Sequence, residues 1–252
     1  MTRFIVLSLF PEMFDGFINT SIIKRSIESE KTLIELINIR DFSINKNRKA
    51  DDTPYGGGNG MVMMCEPLCG AIDFAISKLD LKHHDLKIIY LSPRGKLLNY
   101  TISKKLSDDI NNYILICGHY EGIDERVIEK YNIEEISIGD YILTGGELPA
   151  MVLMDSIIRL KPNVLSAGSL DEESHTNYLL EYPQYTKPSI YNGLAVPEVL
   201  LSGNHKNINE HRRKESIWKT YKNRPDLIQK SLEQQIISKK ELNDILNEKG
   251  GE

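Results

Sequence analysis

Ser137-Ile138-Gly139-Asp140-Tyr141-Ile142-Leu143-Thr144-Gly145-Gly146-Glu147-Leu148-Pro149 carries three glycines, a run of apolar residues and a proline just inside a helix start. Glycine serves where a backbone takes positive φ or approaches a neighbour closely. Proline in a first helical turn costs little, because its missing N–H would have no helical acceptor there. The stretch therefore reads as strand, loop and helix start with much exposed backbone, the makeup of a small-molecule cradle. The plainer alternative is a tight strand-to-helix turn with no ligand.

Outward from this stretch, short apolar strands alternate with helical patterns. Phe4–Leu9 reads as a strand, Met13–Ile27 as a helix opened by Pro11, Leu33–Ile39 as an alternating strand and Pro67–Leu79 as a helix. Lys87–Leu91, Tyr113–Cys117 and Glu135–Ile138 are short β-branched runs with helical stretches between them, and Glu147–Leu160 is a strongly apolar helix closed by Lys161-Pro162. Strands alternating with helices predict an α/β fold with a mostly parallel sheet covered on both faces, and periodicity alone suggests a doubly wound one. The last three strands each end in a glycine-bearing loop: Ser92-Pro93-Arg94-Gly95, Gly118-His119-Tyr120-Glu121-Gly122, and the opening segment. Ligands of open α/β sheets bind outside the carboxyl ends of the strands, so the three loops predict one pocket.

Beyond Asn163 the chain changes character. Asn163 to Tyr178 is rich in Ser, Gly, Asp, Glu and Asn without periodicity and reads as a mobile linker. Tyr182–Pro188 and Val196–Leu201 read as extended or turn-like because of their prolines. Ile208–Tyr221, Pro225–Ser231 and Lys239–Asn247 read as helices, the last with Ser238 as N-cap.

The 252 residues suffice for one large domain or two small ones. No apolar run reaches membrane-spanning length, and the short apolar N-terminal stretch lacks a small-residue cleavage site, so it reads as a buried strand. Three cysteines argue against a disulfide framework and suit the cytoplasm; Cys65 and Cys69 read as buried thiols, since no second ligand pair accompanies them. A net charge of −5 argues against general affinity for nucleic acid, so polyanion binding needs a local basic patch.

Several constellations could carry chemistry. Tyr55-Gly56-Gly57-Gly58-Asn59-Gly60-Met61 lacks both the P-loop ending and the dinucleotide spacing; it reads as a loop that is either merely flexible or able to receive an anion on its N–H groups. In Gly118–Arg126, Asp124 and Arg126 fit a capping pair equally well, whereas Glu121 between two glycines is harder to assign to capping. Lys206, Arg212, Arg213, Lys214, Lys219, Lys222 and Arg224 interleave with His205, His211, Trp218 and Tyr221. Helical spacing puts Arg213, Ile217, Tyr221 and Arg224 on one stripe and Lys214, Trp218 and Lys222 on the next, which suits RNA or a solvated helix face alike. The six histidines show no metal-ligand spacing.

Tyr90–Gly95, Gly118–Arg126, Ser137–Pro149, Leu179–Pro188 and Val199-Leu200-Leu201-Ser202-Gly203-Asn204-His205, in this order, resemble the bacterial tRNA (guanine-37-N1)-methyltransferases of the SPOUT class. The resemblance runs from Phe10-Pro11-Glu12-Met13-Phe14 to about Leu227. It implies an N-terminal domain over 1–162 with a deep trefoil knot, a flexible linker over 163–178 and a mainly helical tRNA-binding domain over 179–252. It implies S-adenosylmethionine held by Tyr90, Leu91, Ser92, Pro93 and Gly95, by Gly118, Tyr120 and Glu121, and by Ser137, Ile138, Gly139, Tyr141, Leu143, Gly145, Gly146 and Pro149. It also implies a homodimer with a shared active site, no membrane partner, a tRNA anticodon arm as substrate, and methylation beside the anticodon that supports reading-frame maintenance.

The chemistry follows from guanine N1, a poor nucleophile until its proton leaves. A carboxylate at N1 can remove that proton and an arginine can stabilise the charge building toward O6. By motif the arginine is Arg159. The general base of many relatives is an Asp in a linker motif Glu-Glu-Asp-Ser-Phe; its position here is Glu173, within Asp171-Glu172-Glu173-Ser174-His175, which keeps the carboxylate and adds one methylene. Asn59 stands where relatives commonly carry Pro, and His119 where some carry Arg. The family resemblance adds Mg²⁺, for which the sequence offers only the acidic linker as a candidate.

Overall fold

Strand β1 (Thr2–Ser8) carries Phe4, Ile5, Val6 and Leu7 at 0% exposure, so both of its faces are buried. Such a strand needs neighbours on each edge and layers above and below it. The computed structural model describes residues 1–79, 86–166 and 173–250. The chain divides into two compact units, Met1–Ser166 and Ala167–Glu252.

In the first unit β1 is followed by α1 (Asp15–Ile18), α2 (Ser21–Glu28), β2 (Thr32–Asn38), the short strands β3 (Asp51–Asp52) and β4 (Val62–Met63), and α3 (Cys65–Ser77). Then come β5 (Leu86–Leu97), α4 (Tyr100–Asp109), β6 (Asn112–Cys117), α5 (Glu125–Tyr131), β7 (Glu134–Ser137) and α6 (Glu147–Ile158). The main sheet has the order β2-β1-β6-β5-β7, and each neighbouring pair is parallel. Side-chain alternation divides its core in two. Ile5, Leu7, Ile114 and Ile116 pack against Leu68, Ile72 and Ala75 of α3 and Val127 of α5. Phe4, Val6, Tyr113 and Leu115 pack against Ile23 of α2, Leu106 of α4, and Leu153 and Ile157 of α6. The α/β expectation with a parallel sheet covered on both faces therefore holds.

Two local expectations are corrected. Met13–Ile27 is not one helix: a 3₁₀ turn at Pro11–Phe14 leads into α1, and the chain restarts at Ser21. Asn19 Nδ2 donates to the Asp15 carbonyl (2.9 Å) and Thr20 Oγ1 to the Gly16 carbonyl (2.7 Å), while Thr20 takes extended backbone angles. These short polar side chains compete for the backbone and close the first helix. Strand β5 does not end at Leu91 but runs to Leu97, with both Leu91 and Lys96 opposite Ile136 of β7. Ser92–Gly95 thus leaves the ladder as a bulge at the sheet's end. In the second unit Val196–Leu201 is turn-like as read, with Pro197 preceding the helical turn α7 (Glu198–Leu201).

The second unit opens with an antiparallel hairpin of β8 (Ile190–Tyr191) and β9 (Leu194–Ala195). Its turn, Asn192-Gly193, has φ of 50° and 82°, the left-handed angles a two-residue hairpin loop requires. Helices α7, α8 (His205–Asn223), α9 (Pro225–Glu233) and α10 (Lys239–Lys249) follow, with Asn204 and Ser238 accepting from N–H groups at the starts of α8 and α10. Ile217, Ile228, Ile237 and Ile245 form this unit's small core, with Trp218 and Leu232 packed on it. Of the segment read as a mobile linker, 167–172 lies outside the described residues. No described helix is long and apolar enough to cross a membrane.

Phe4 stacks on Tyr113, ring centroids 4.7 Å apart and planes 12° apart, and both rings are fully buried. Phe4→Ala is expected to cost about 3–5 kcal/mol of stability in denaturant melts. A loss below about 1 kcal/mol would mean that the core does not depend on this stack.

Candidate active site

The parallel order brings the carboxyl ends of β5, β6 and β7 to one edge of the sheet. The loops leaving them enclose a cavity of about 450 Å³. Tyr90, Leu91, Ser92 and Pro93 line it from β5, and Gly118, Tyr120 and Glu121 from the loop after β6. Ser137, Ile138, Gly139, Tyr141, Leu143, Gly145, Gly146 and Pro149 line it from the segment between β7 and α6. Of the cavity residues singled out in the sequence, Gly95 alone does not face the space. Its α-carbon instead sits against the β7 backbone, where a Cβ would fall 2.4 Å from the Glu135 carbonyl carbon. Gly146 is equally constrained: its N–H donates to the Gly118 carbonyl (2.9 Å), and a Cβ would lie 2.6 Å from Cys117 Cα.

Arg94, His119, Ile142 and Thr144 of the same predicted loops also line the cavity, with Ile123 and Glu125 of the Gly118–Arg126 stretch, although none of the six was assigned to the methyl donor. Glu147 of the opening stretch, to which the sequence assigned no role, stands in the first turn of α6 and is 1% exposed. Its carboxylate accepts from Ser8 Oγ (2.6 Å) and lies 2.8 and 2.9 Å from His119 Nε2. The one signal in the sequence was an acidic residue directly after a double glycine at a helix start. Burial pushes the Tyr90 phenol above its ordinary pKa, helped by the Glu135 charge, so it stays protonated at neutral pH.

The glycine-dense loop connects β3 to β4, which form a short antiparallel pair. It meets the cavity rim where Glu121 N–H donates to the Met61 carbonyl (3.0 Å). Asp124 is a capping residue: it accepts from Arg126 N–H at the start of α5, and the Arg126 guanidinium donates to both of its oxygens (2.9 and 2.7 Å). That pairing holds the Asp124 carboxyl well below the usual carboxylate range. Cys65 is a free thiol, pushed up to about 11 by burial and by its hydrogen bond to Asp124.

Arg159 does not line the cavity. It follows the last residue of α6, and the helix's 12 residues at 1.5 Å each set it about 18 Å from the glycines at the helix start. Glu173 belongs to the second unit, where with Asn177, Tyr182, Asn209, Arg212 and Arg213 it lines a hollow of about 180 Å³. The Arg212 guanidinium lies over the Tyr182 ring, 4.7 Å from its centroid. Asp171 and Glu172 lie outside the described residues.

The basic stretch is largely neutralised within its own unit. Arg213 pairs with Glu241 (2.6 Å), Lys214 with Glu248 (2.7 Å) and Arg224 with Asp226 (2.7 Å), while Ile217 between them is fully buried. The stripe through Arg213 and Ile217 is therefore a packing face. Lys219 and Lys222 form no ion pair among the described residues, and the Lys222 ammonium lies 4.5 Å from the centroid of the Trp218 ring, which stacks on Tyr221.

Residues 2–230 match the family model described as tRNA (Guanine-1)-methyltransferase TrmD. The chain is 54% identical over 229 residues to the tRNA (guanine-N(1)-)-methyltransferase of Ruminiclostridium cellulolyticum, covering 90% of this chain and 97% of that protein. The proteins of the same description from Clostridioides difficile and Fusobacterium nucleatum are 51% and 48% identical. Those matches cover 92% and 96% of this chain, and 99% and 98% of the relatives.

Gly95→Ala is expected to lower the melting temperature and to disturb the cavity wall, because the clash is with backbone that cannot turn aside. Gly16→Ala, with nothing within 4 Å, is expected to leave it unchanged or raise it. Equal melting temperatures for the two variants would contradict the close approach at Gly95.

Proposed function

The chain belongs to the tRNA (guanine-N1)-methyltransferase family and is an enzyme of tRNA processing, and from that premise we propose that it methylates N1 of guanosine 37 with S-adenosylmethionine. On this reading it acts in the cytoplasm next to the anticodon and supports reading-frame maintenance. The observation that carries the proposal is the convergence of the β5, β6 and β7 loops on one cavity of about 450 Å³. That volume, with walls of glycine backbone, tyrosine and aliphatic side chains, suits a nucleoside-sized ligand. The reading also makes the first unit a SPOUT fold with a trefoil knot; the backbone contact of the α6 start with the β6 loop and the tight β5–β7 passage at Gly95 are compatible with it.

S-adenosylmethionine supplies an electrophilic methyl group on a sulfonium. The protein's own contribution is to hold donor and guanine in line, to accept the N1 proton and to stabilise the charge left on the base. In our proposal Glu173 takes the proton from N1 and the Arg159 guanidinium faces O6. Within one chain Arg159 stands a helix length from the cavity, about 18 Å, so a shared site in a homodimer joins the two most simply. Leu148 and Val152, four residues apart on α6, are 51% and 46% exposed, and Tyr141 and Ile142 beside the cavity are 55% and 77% exposed. An apolar face of this kind favours a second copy. Among the described residues no group of three or more His, Cys, Asp or Glu could hold a metal ion, and Asp171 and Glu172 of the acidic linker, the candidate for Mg²⁺, lie outside them.

The helical unit grips the anticodon arm in this reading, through cations that its own acids leave available. Lys219 and Lys222 beside Trp218 and Tyr221 offer phosphate pairing and base stacking together. Lys219→Ala and Lys222→Ala are expected to weaken tRNA binding about two- to tenfold and to flatten its salt dependence, whereas Lys214→Ala changes it less, because Lys214 is engaged with Glu248. The reverse order of effects would refute this choice of face.

Calorimetry with S-adenosylmethionine against NAD, and methylation of tRNA carrying guanosine or adenosine at position 37, test the whole proposal. Binding of the methionine derivative alone and product from the guanosine substrate alone are expected. Glu173→Gln should slow methyl transfer about 10²- to 10⁴-fold with tRNA affinity intact. Transfer at near the unmodified rate would remove Glu173 as the base.

A further inference from the structure

We propose that Glu147 is a positioning residue of the methyl-donor cavity, holding the Gly118–Gly122 loop against the start of α6 through His119. The inference rests on reading that cavity as the S-adenosylmethionine site. It starts from an expensive arrangement: a carboxylate 1% exposed, in a wall that apolar side chains could have filled. A charge taken out of water persists only with good partners. Glu147 has three sources of support. Ser8 Oγ donates to Oε1 at 2.6 Å, His119 Nε2 reaches both oxygens at 2.8 and 2.9 Å, and the first turn of α6 favours negative charge.

The partners come from three separate pieces of chain, namely the end of β1, the loop after β6 and the start of α6. Ser8 is itself fixed, because its Oγ accepts from the Phe10 N–H at 2.8 Å, and the Phe10 ring meets His119 edge-on at 5.0 Å. The backbone already joins two of these pieces through the Gly146–Gly118 hydrogen bond and a bridge between His119 and Gly145. Those links set how close the loops come. Further bonds from the Glu121 N–H to the Met61 carbonyl (3.0 Å) and from the Met63 N–H to the Gly122 carbonyl (2.9 Å) fix the far side of the loop, and the side-chain network orients its near side at His119, because hydrogen bonds to a carboxylate are directional where apolar contact is not. His119, Gly145 and Gly146 line the cavity while Glu147 does not, so Glu147 acts on the ligand only through them.

The test is S-adenosylmethionine calorimetry and steady-state kinetics on the full chain for Glu147→Gln, His119→Ala, the double variant and His119→Arg. Glu147→Gln keeps size and shape, so its melting temperature should stay within a few degrees. Its dissociation constant and KM for the methyl donor should rise about tenfold, the equivalent of one charge-assisted hydrogen bond, with kcat at saturation nearly unchanged. His119→Ala, which also removes a cavity-lining ring, should raise the dissociation constant at least as far, the double variant should be no worse than the poorer single one, and His119→Arg, which restores a donor to Glu147, should recover part of the affinity. Donor affinity unchanged in Glu147→Gln, or losses that add in the double variant, would overturn the proposal. Affinity falling only in step with melting temperature would reduce Glu147 to a fold-stabilising role and overturn it too. If the unsubstituted protein fails to bind S-adenosylmethionine, the reading of the cavity fails instead.

Discussion

The constraint on which the site depends is the close approach of backbones at the carboxyl edge of the parallel sheet. Three loops from β5, β6 and β7 must meet there with their main chains in contact. The Gly146 N–H reaches the Gly118 carbonyl at 2.9 Å, and Gly95 lies so near Glu135 that no side chain fits between them. A parallel sheet makes this meeting possible, because all its strands end on the same side. The burial of β1 on both faces then holds the edge rigid, since the two cores above and below the sheet share that strand. The cavity is what remains between loops that cannot come closer.

Much of this was legible in the sequence. The short β-branched runs at Lys87–Leu91, Tyr113–Cys117 and Glu135–Ile138 correspond to β5, β6 and β7, and each is followed by glycine because the chain turns or closes there. Apolar, β-branched composition marks where these strands run. It did not report that β5 would resume after a four-residue bulge, because register depends on the partner strand. Nor did it reveal the break at Asn19-Thr20, where two short polar side chains outcompete an apolar pattern. The hairpin at Asn192-Gly193 carried a plain signal in its dipeptide, which the surrounding prolines masked.

Partnerships across long stretches of chain were the part that periodicity could not carry. Glu147 and Ser8 are 139 residues apart, and at sequence level an acid at a helix start is simply a favourable charge. Arg213 and Glu241 are 28 apart, and Lys214 and Glu248 34 apart. A row of cations on α8 therefore read as a binding face or a solvated one alike, although α10 answers two of them, Arg213 and Lys214. Which charges remain for a polyanion is decided by tertiary packing, and the net charge of the chain says nothing about it.

Trp218 is the only tryptophan of the chain, and it sits half-buried in the helical unit beneath the Lys222 ammonium. The sheet unit, with its cavity, contains tyrosine and phenylalanine alone as aromatic chromophores. The molecule is thus optically partitioned. Excitation at the red edge of the protein ultraviolet band addresses one unit and leaves the other dark. A single wavelength can follow the melting of the small isoleucine core while circular dichroism follows both units together, and the difference between the two curves isolates the unit that holds the cavity.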